Sequence, residues 1–137
     1  MGENTLNNVL FLIGELPTPL IIMAFAISMR NNPPRFGENT GYNTKRSRKS
    51  TEAWDFAQTA YGRYATVAFA VMSAVTLAVG LTAILLNLGE TAGFVTFMAV
   101  TAAQVAVLVA VIIVIERQLE RSFDEDGKPR QGYGRTF

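Results

Sequence analysis

Two residue types are missing altogether: the chain has no cysteine and no histidine. Without cysteine there is no disulfide, no thiolate nucleophile and no cysteine-ligated zinc. Without histidine, the usual general base near neutral pH and the commonest metal ligand are gone. Carboxylates and hydroxyls alone remain for acid–base or nucleophilic work, so neither an enzyme activity nor a cofactor is expected. Charge is scarce in one region too, since between Tyr64 and Ile115 the sole charged residue is Glu90. A soluble helical domain spreads charge along its helices to keep one face wet. Here charge is segregated from the apolar runs, which predicts an all-α integral membrane protein. With 137 residues, a single membrane domain is expected.

A transmembrane helix needs about 20 mostly apolar residues, and three stretches qualify: Leu6 to Met29, Tyr64 to Leu88 and Gly93 to Ile115. The first is interrupted by Glu15, Pro17 and Pro19. Its Ala24-Phe25-Ala26 has the small-x-small form of a signal cleavage site. Against that reading, no Lys or Arg precedes the run and it exceeds the apolar segment of a signal peptide.

The cations fix an expected orientation. Arg30, Arg35, Lys45, Arg46, Arg48, Lys49 and Arg63 fall in the connection 30–63, and Arg117, Arg121, Lys128, Arg130 and Arg135 in the tail 116–137. The short "GETAG" connection and the N-terminal arm hold none. The positive-inside rule therefore predicts a multi-pass membrane protein with its N-terminus outside and its C-terminus cytoplasmic. On this reading the run "KRSRK" is a topology signal lying against anionic headgroups. A direct nucleic-acid role would need a folded module or interleaved stacking aromatics, and neither is visible.

The connection has structure of its own. Pro33-Pro34 ends the first helix, and Gly37 and Gly41 supply turns. Ser50 or Thr51 can cap a following helix, with Glu52 and Asp55 favourable in its first turn. Trp54, Ala57 and Tyr61 recur at spacings of three and four. This predicts a short interfacial helix in the first cytoplasmic loop over 50–63, with Trp54 and Tyr61 at headgroup depth, running into the second span.

The segment "GYNTKRSRKSTEAWDFAQTAYGR", followed by an alanine-rich span, resembles the signature of the SdpI/YfhL family of small bacterial membrane proteins. Gly41, Tyr42, Thr44, Ser47, Ser50, Glu52, Trp54, Ala57 and Gly62 fit its pattern, and the tail "ERQLERSFDEDGKPR" is similar to the family's ending. Asn43 stands where the family usually carries arginine, with Arg46 or Lys45 as substitutes. The resemblance implies a place in a bacterial cell membrane and immunity to a secreted, membrane-active peptide toxin. It also implies signalling through a soluble cytoplasmic regulator drawn to the membrane.

Several polar residues fall within or beside the apolar runs. Glu15 is the most unusual, because a mid-span carboxylate costs roughly 2.5–3.5 kcal/mol and normally faces a bundle interior or water. It lies in "GELPTP", where the prolines weaken the helix, as in the broken helices that bind ions or peptide groups in transporters. The alternative is a span that begins after Pro19 or is re-entrant, leaving Glu15 among headgroups. Gln104, mid-way along the third span, can hydrogen-bond between helices. Ala102, Ala106 and Ala110, with Ala74 and Ala78, are expected to pack the second span against the third. Glu116 can pair with the basic loop or remain a solvated helix end. "FDEDG" partly matches a calcium loop but lacks its later ligands, so a turn is expected.

Two functions stay open: an immunity-type binder, and a small transporter or channel for a cation or peptide using Glu15 and Gln104. The second requires a homo-oligomer, since three helices scarcely enclose a path. The lipid bilayer is a partner in either case.

Overall fold

The computed structural model describes residues 2–133, so Arg135 lies outside the described residues. They form α1 (Glu3–Glu15), α2 (Pro17–Asn31), α3 (Thr51–Leu85) and α4 (Glu90–Ser122), with a 3₁₀ turn at Ser47–Lys49. Only one isolated bridge, Phe123 to Pro129, interrupts this helical pattern among the described residues. Three helices are long and apolar enough to cross a membrane: the joined pair Glu3–Asn31, then α3 and α4. Their outward faces are apolar, with Val67, Val71, Leu81, Val95, Val105 and Val109 all exposed.

The break between α1 and α2 is slight. Leu16 keeps right-handed helical dihedrals, and its N–H still reaches Leu12 O at 3.0 Å. What is lost is set by chemistry. Pro17 and Pro19 have no N–H, so the carbonyls four residues earlier, Ile13 O and Glu15 O, lose their helical donors.

At the other end of α2, Asn32 leaves the helical region and Pro33-Pro34 prevents continuation. Ser50 then starts α3, its Oγ accepting from Ala53 N at 3.0 Å. No breaker intervenes before Leu85, so residues 51–63 are no separate interfacial helix but the opening turns of α3. At 35 residues α3 runs roughly 50 Å, well beyond a hydrocarbon core of about 30 Å. Its N-terminal turns therefore carry the basic connection.

The turn between α3 and α4 places Asn87 in the left-handed region, φ 47°. The N-terminal arm is fastened to it. Thr5 Oγ1 donates to Asn87 Oδ1 at 2.9 Å, and Asn8 Nδ2 donates to Ala83 O and Leu88 O. α2 packs mainly on α3, while α1 sits against both α3 and α4. The two backbones of α2 and α3 come close at Gly62, where a Cβ would stand 3.0 Å from Arg30 Cα.

One packing expectation is overturned. Ala74, Ala78, Ala102, Ala106 and Ala110 are all exposed, so the alanine stripes face outward. The inward face of α4 carries Val100, Gln104, Val111, Ile115 and Leu119. Gln104 lies two residues beyond Ala102, about 200° around the helix. A primary amide among apolar helices needs partners, which turns its face inward and the alanines out.

Candidate functional site

Two polar clusters occupy the bundle, separated by an apolar layer. The first surrounds Glu15, which is only 8% exposed. Its Oε1 accepts from Thr101 Oγ1 at 2.6 Å and its Oε2 from Gln104 Nε2 at 2.9 Å. Gln104 Nε2 also lies 3.3 Å from Glu15 O, the carbonyl that Pro19 deprives of its helical donor, and 3.4 Å from Thr76 Oγ1. Gln104 therefore repairs the helix break and holds the carboxylate together. The reading that left Glu15 outside the first helical span does not hold: it lies inside the bundle, between α1, α3 and α4. By helix rise, Glu15, Thr76 and Gln104 are roughly 14–21 Å from the cation-free end of their helices.

Beside this cluster is a partly open cavity of about 30 Å³, lined by Asn8, Glu15, Thr76, Thr96, Phe97 and Val100 among others. Toward the basic end it gives way to packed side chains. Phe69 and Ile115 are fully buried, and Met72 and Val111 nearly so. This apolar layer spans the distance from Gln104 to Glu116, about 18 Å along α4.

The second cluster caps the basic end, where most of the predicted site residues meet. Gln58, fully buried, accepts from Tyr42 N at 2.8 Å and donates to Tyr42 O at 2.7 Å. Tyr42 OH donates to Glu116 Oε1 at 2.8 Å. Ser47 Oγ donates toward Tyr42 O and Thr44 O and accepts from Thr44 N, while Ser47 N donates to Thr44 Oγ1. Gly41 sits at φ +90°, and a Cβ there would come within 2.5 Å of Gln58 Oε1 and Pro34 Cγ. Only glycine suits both the dihedral and the space.

Trp54 departs from expectation. It is not a headgroup anchor: it is fully buried, its Nε1 donating to Pro34 O at 2.8 Å and its ring edge-on to Phe36. Tyr61 is likewise packed inside, against Tyr42. The chain leaving α2 folds over α3 and supplies the acceptor that the indole would otherwise find in lipid headgroups.

Ser50 Oγ, besides capping α3, donates to Gly127 O at 2.6 Å, and Lys49 Nζ donates to Glu125 O. The tail is thereby drawn onto the start of α3. "FDEDG" is a turn, with Asp124 Oδ1 accepting from Asp126 N and Lys128 N. Those amides, Lys128's above all, hold the Asp124 carboxyl below its ordinary range. No three His, Cys, Asp or Glu side chains converge among the described residues.

Arg46 pairs with Glu120 at 3.3 Å and Glu116 at 3.8 Å. Asn43 Oδ1 instead accepts from Arg48 Nε, so neither Arg46 nor Lys45 is held at that position. Glu52 stays exposed in the first turn of α3, joining no hydrogen bond or ion pair among the described residues. Burial first, and then the adjacent Glu116 carboxylate, pushes the Tyr42 hydroxyl well above its usual range.

Sequence reasoning missed Asn8, Gln58, Thr76 and Thr101. Gln58 was detectable as an amide on the Trp54–Tyr61 face. The threonines gave no signal, because threonine in an apolar helix usually bonds its own backbone, as Thr66, Thr82 and Thr96 do.

Neither the family models, the curated proteins nor the solved structures contain a match to this chain.

Proposed function

We propose that this chain is an SdpI-like membrane protein that protects a bacterium from a membrane-active peptide by binding it on the outer side, through Glu15. The observation that carries this reading is a buried carboxylate held, among the described residues, by neutral donors only, beside a cavity in the cation-free half of the bundle. With the N-terminus outside, as the cation distribution predicts, that half faces the side from which a secreted peptide arrives. The carboxylate then sits near mid-bilayer, where a low dielectric strengthens its attraction for a cationic group.

The apolar layer of Phe69, Met72, Val111 and Ile115 favours a binder over a conduit within one chain. A transporter would need a path between copies. The resemblance contributes the immunity assignment. Gly41, Tyr42, Thr44, Ser47, Ser50 and Trp54, which carry it, hold the cytoplasmic cap together. The exposed side chains of Lys45 and Arg48 on that cap are the ones a soluble regulator would reach.

The test is survival of a sensitive bacterium expressing the chain, challenged with a panel of cationic membrane-active peptides. Protection from at least one peptide, lost in Glu15→Gln at unchanged membrane levels, is expected. No protection from any peptide, with solute-dependent flux in liposomes, would replace immunity by transport.

A further inference from the structure

The cavity beside Glu15 restricts what can bind there. About 30 Å³ of room accommodates one or two water-sized bodies, since a single water needs roughly 10–15 Å³ on this measure.

The charge is equally restrictive. Among the described residues, Glu15 is the only acidic one lining the cavity, and no lysine or arginine lines it or bonds to Glu15. Divalent calcium sites gather several oxygen ligands, usually with more than one carboxylate. One carboxylate balances one positive charge.

The remaining polar groups at the cavity present oxygen. Asn8 is almost fully buried, and its amide orientation is fixed because Nδ2 donates to Ala83 O and Leu88 O. That leaves Oδ1 as an acceptor with no donor among the described residues. It lies beside Gly93, where a Cβ would stand 2.6 Å away, and two turns of α1, about 10 Å, separate it from Glu15, so it belongs to the far end of the cavity and shares no ion with the carboxylate. Thr76 Oγ1 lies at the same cavity and, unlike Thr101, makes no bond to its own helix among the described residues. Phe11, Phe97 and Val100 supply apolar walls.

The geometry points to a binding site for a single compact monovalent cation, a primary ammonium or an alkali ion, coordinated by Glu15 with help from Thr76. This rests on the reading of Glu15 as the recognition carboxylate and specifies its ligand class. A primary ammonium has three donors for these oxygens, and could belong to a peptide lysine or N-terminus. An alkali ion would instead occupy the site as a coupled or structural ion.

The experiment uses the full chain in nanodiscs and follows thermal unfolding against sodium, potassium, methylammonium or magnesium chloride, with choline chloride holding ionic strength constant. A saturable rise of several degrees is expected with at least one of sodium, potassium or methylammonium, and none with magnesium. Glu15→Gln abolishes the rise. Thr76→Val, which keeps the carboxylate and nearly the same shape, weakens the apparent affinity by about tenfold, the loss of one oxygen contact to a charge.

Response to methylammonium alone assigns the site to an amine, and response to an alkali ion alone assigns it to that ion. A flat wild-type response, or an equal response in Glu15→Gln, overturns the proposal. Protection without a cation response would sink this inference and leave immunity standing. A cation response without protection would do the reverse.

Discussion

The cap at the basic end and the Glu15 cluster in the other half of the bundle are both polar and largely buried, yet they are satisfied differently. In the cap, Gln58 pairs with both backbone groups of Tyr42, Ser47 with Thr44, and Trp54 with Pro34. Those neutral groups complete one another within the protein. Around Glu15 the donors among the described residues are neutral while the acceptor is a carboxylic acid side chain, and two turns away along α1, at the same cavity, Asn8 Oδ1 has no donor among the described residues. A network that completes itself holds a fold, whereas a network with spare acceptors beside a cavity has capacity for a ligand. This difference underlies the proposed division: cap for structure, Glu15 for recognition.

The strongest way to break the comparison is at Trp54. Trp54→Ala removes a fully buried indole and leaves Pro34 O without its donor, so a loss of about 3–5 kcal/mol is expected. Its drop in unfolding temperature in detergent should exceed those of Gln104→Leu, Arg46→Ala and Tyr42→Phe. A next-smaller effect is expected for Gln104→Leu, which strips donors from both Glu15 O and its carboxylate at a cost of about 1–3 kcal/mol. Loosening should be local to the α1–α2 junction, read as faster amide exchange at residues 15–20.

Arg46→Ala tests the rim of the cap. Both of its ion pairs are partly or fully solvent-exposed, so the loss should stay below about 1 kcal/mol and vanish in high salt. Smallest of all is the acid sensitivity of the tail turn. The Asp124 carboxyl is held below its ordinary range, so its contribution is complete above that range and fades as pH falls through the lower, folded value. Protection of the amides in residues 124–128, taken relative to unstructured exchange at the same pH, should therefore fall below about pH 4, with α3 and α4 unaffected.

Much of the architecture was legible because apolar length nearly dictates a spanning helix, and the proline pair and Ser50 mark helix ends. Glu15 and Gln104 each stood out as costly polar residues in apolar surroundings. Their pairing did not, since 89 residues separate them and no local pattern encodes which helix faces meet. The alanine stripes misled because small residues suit close packing and lipid-facing surfaces equally. Trp54 misled for a related reason: an amphipathic indole fits an interface, and only the folded path of residues 32–36 reveals the buried acceptor at Pro34. Thr76 and Thr101 were hidden by the ordinary habit of threonine in helices, which Thr101 also follows toward Phe97 O.

The division between cap and recognition site is tested most directly by comparing Glu15→Gln with Tyr42→Phe in the survival assay, at matched membrane levels. Tyr42→Phe removes the hydroxyl bond to Glu116 and should cost about 1 kcal/mol, since Glu116 is partly solvated. The account predicts that Tyr42→Phe keeps protection despite its lower stability, while Glu15→Gln loses protection with an almost unchanged unfolding temperature. Full protection by Glu15→Gln, with protection lost in Tyr42→Phe, would contradict it and move recognition to the cap.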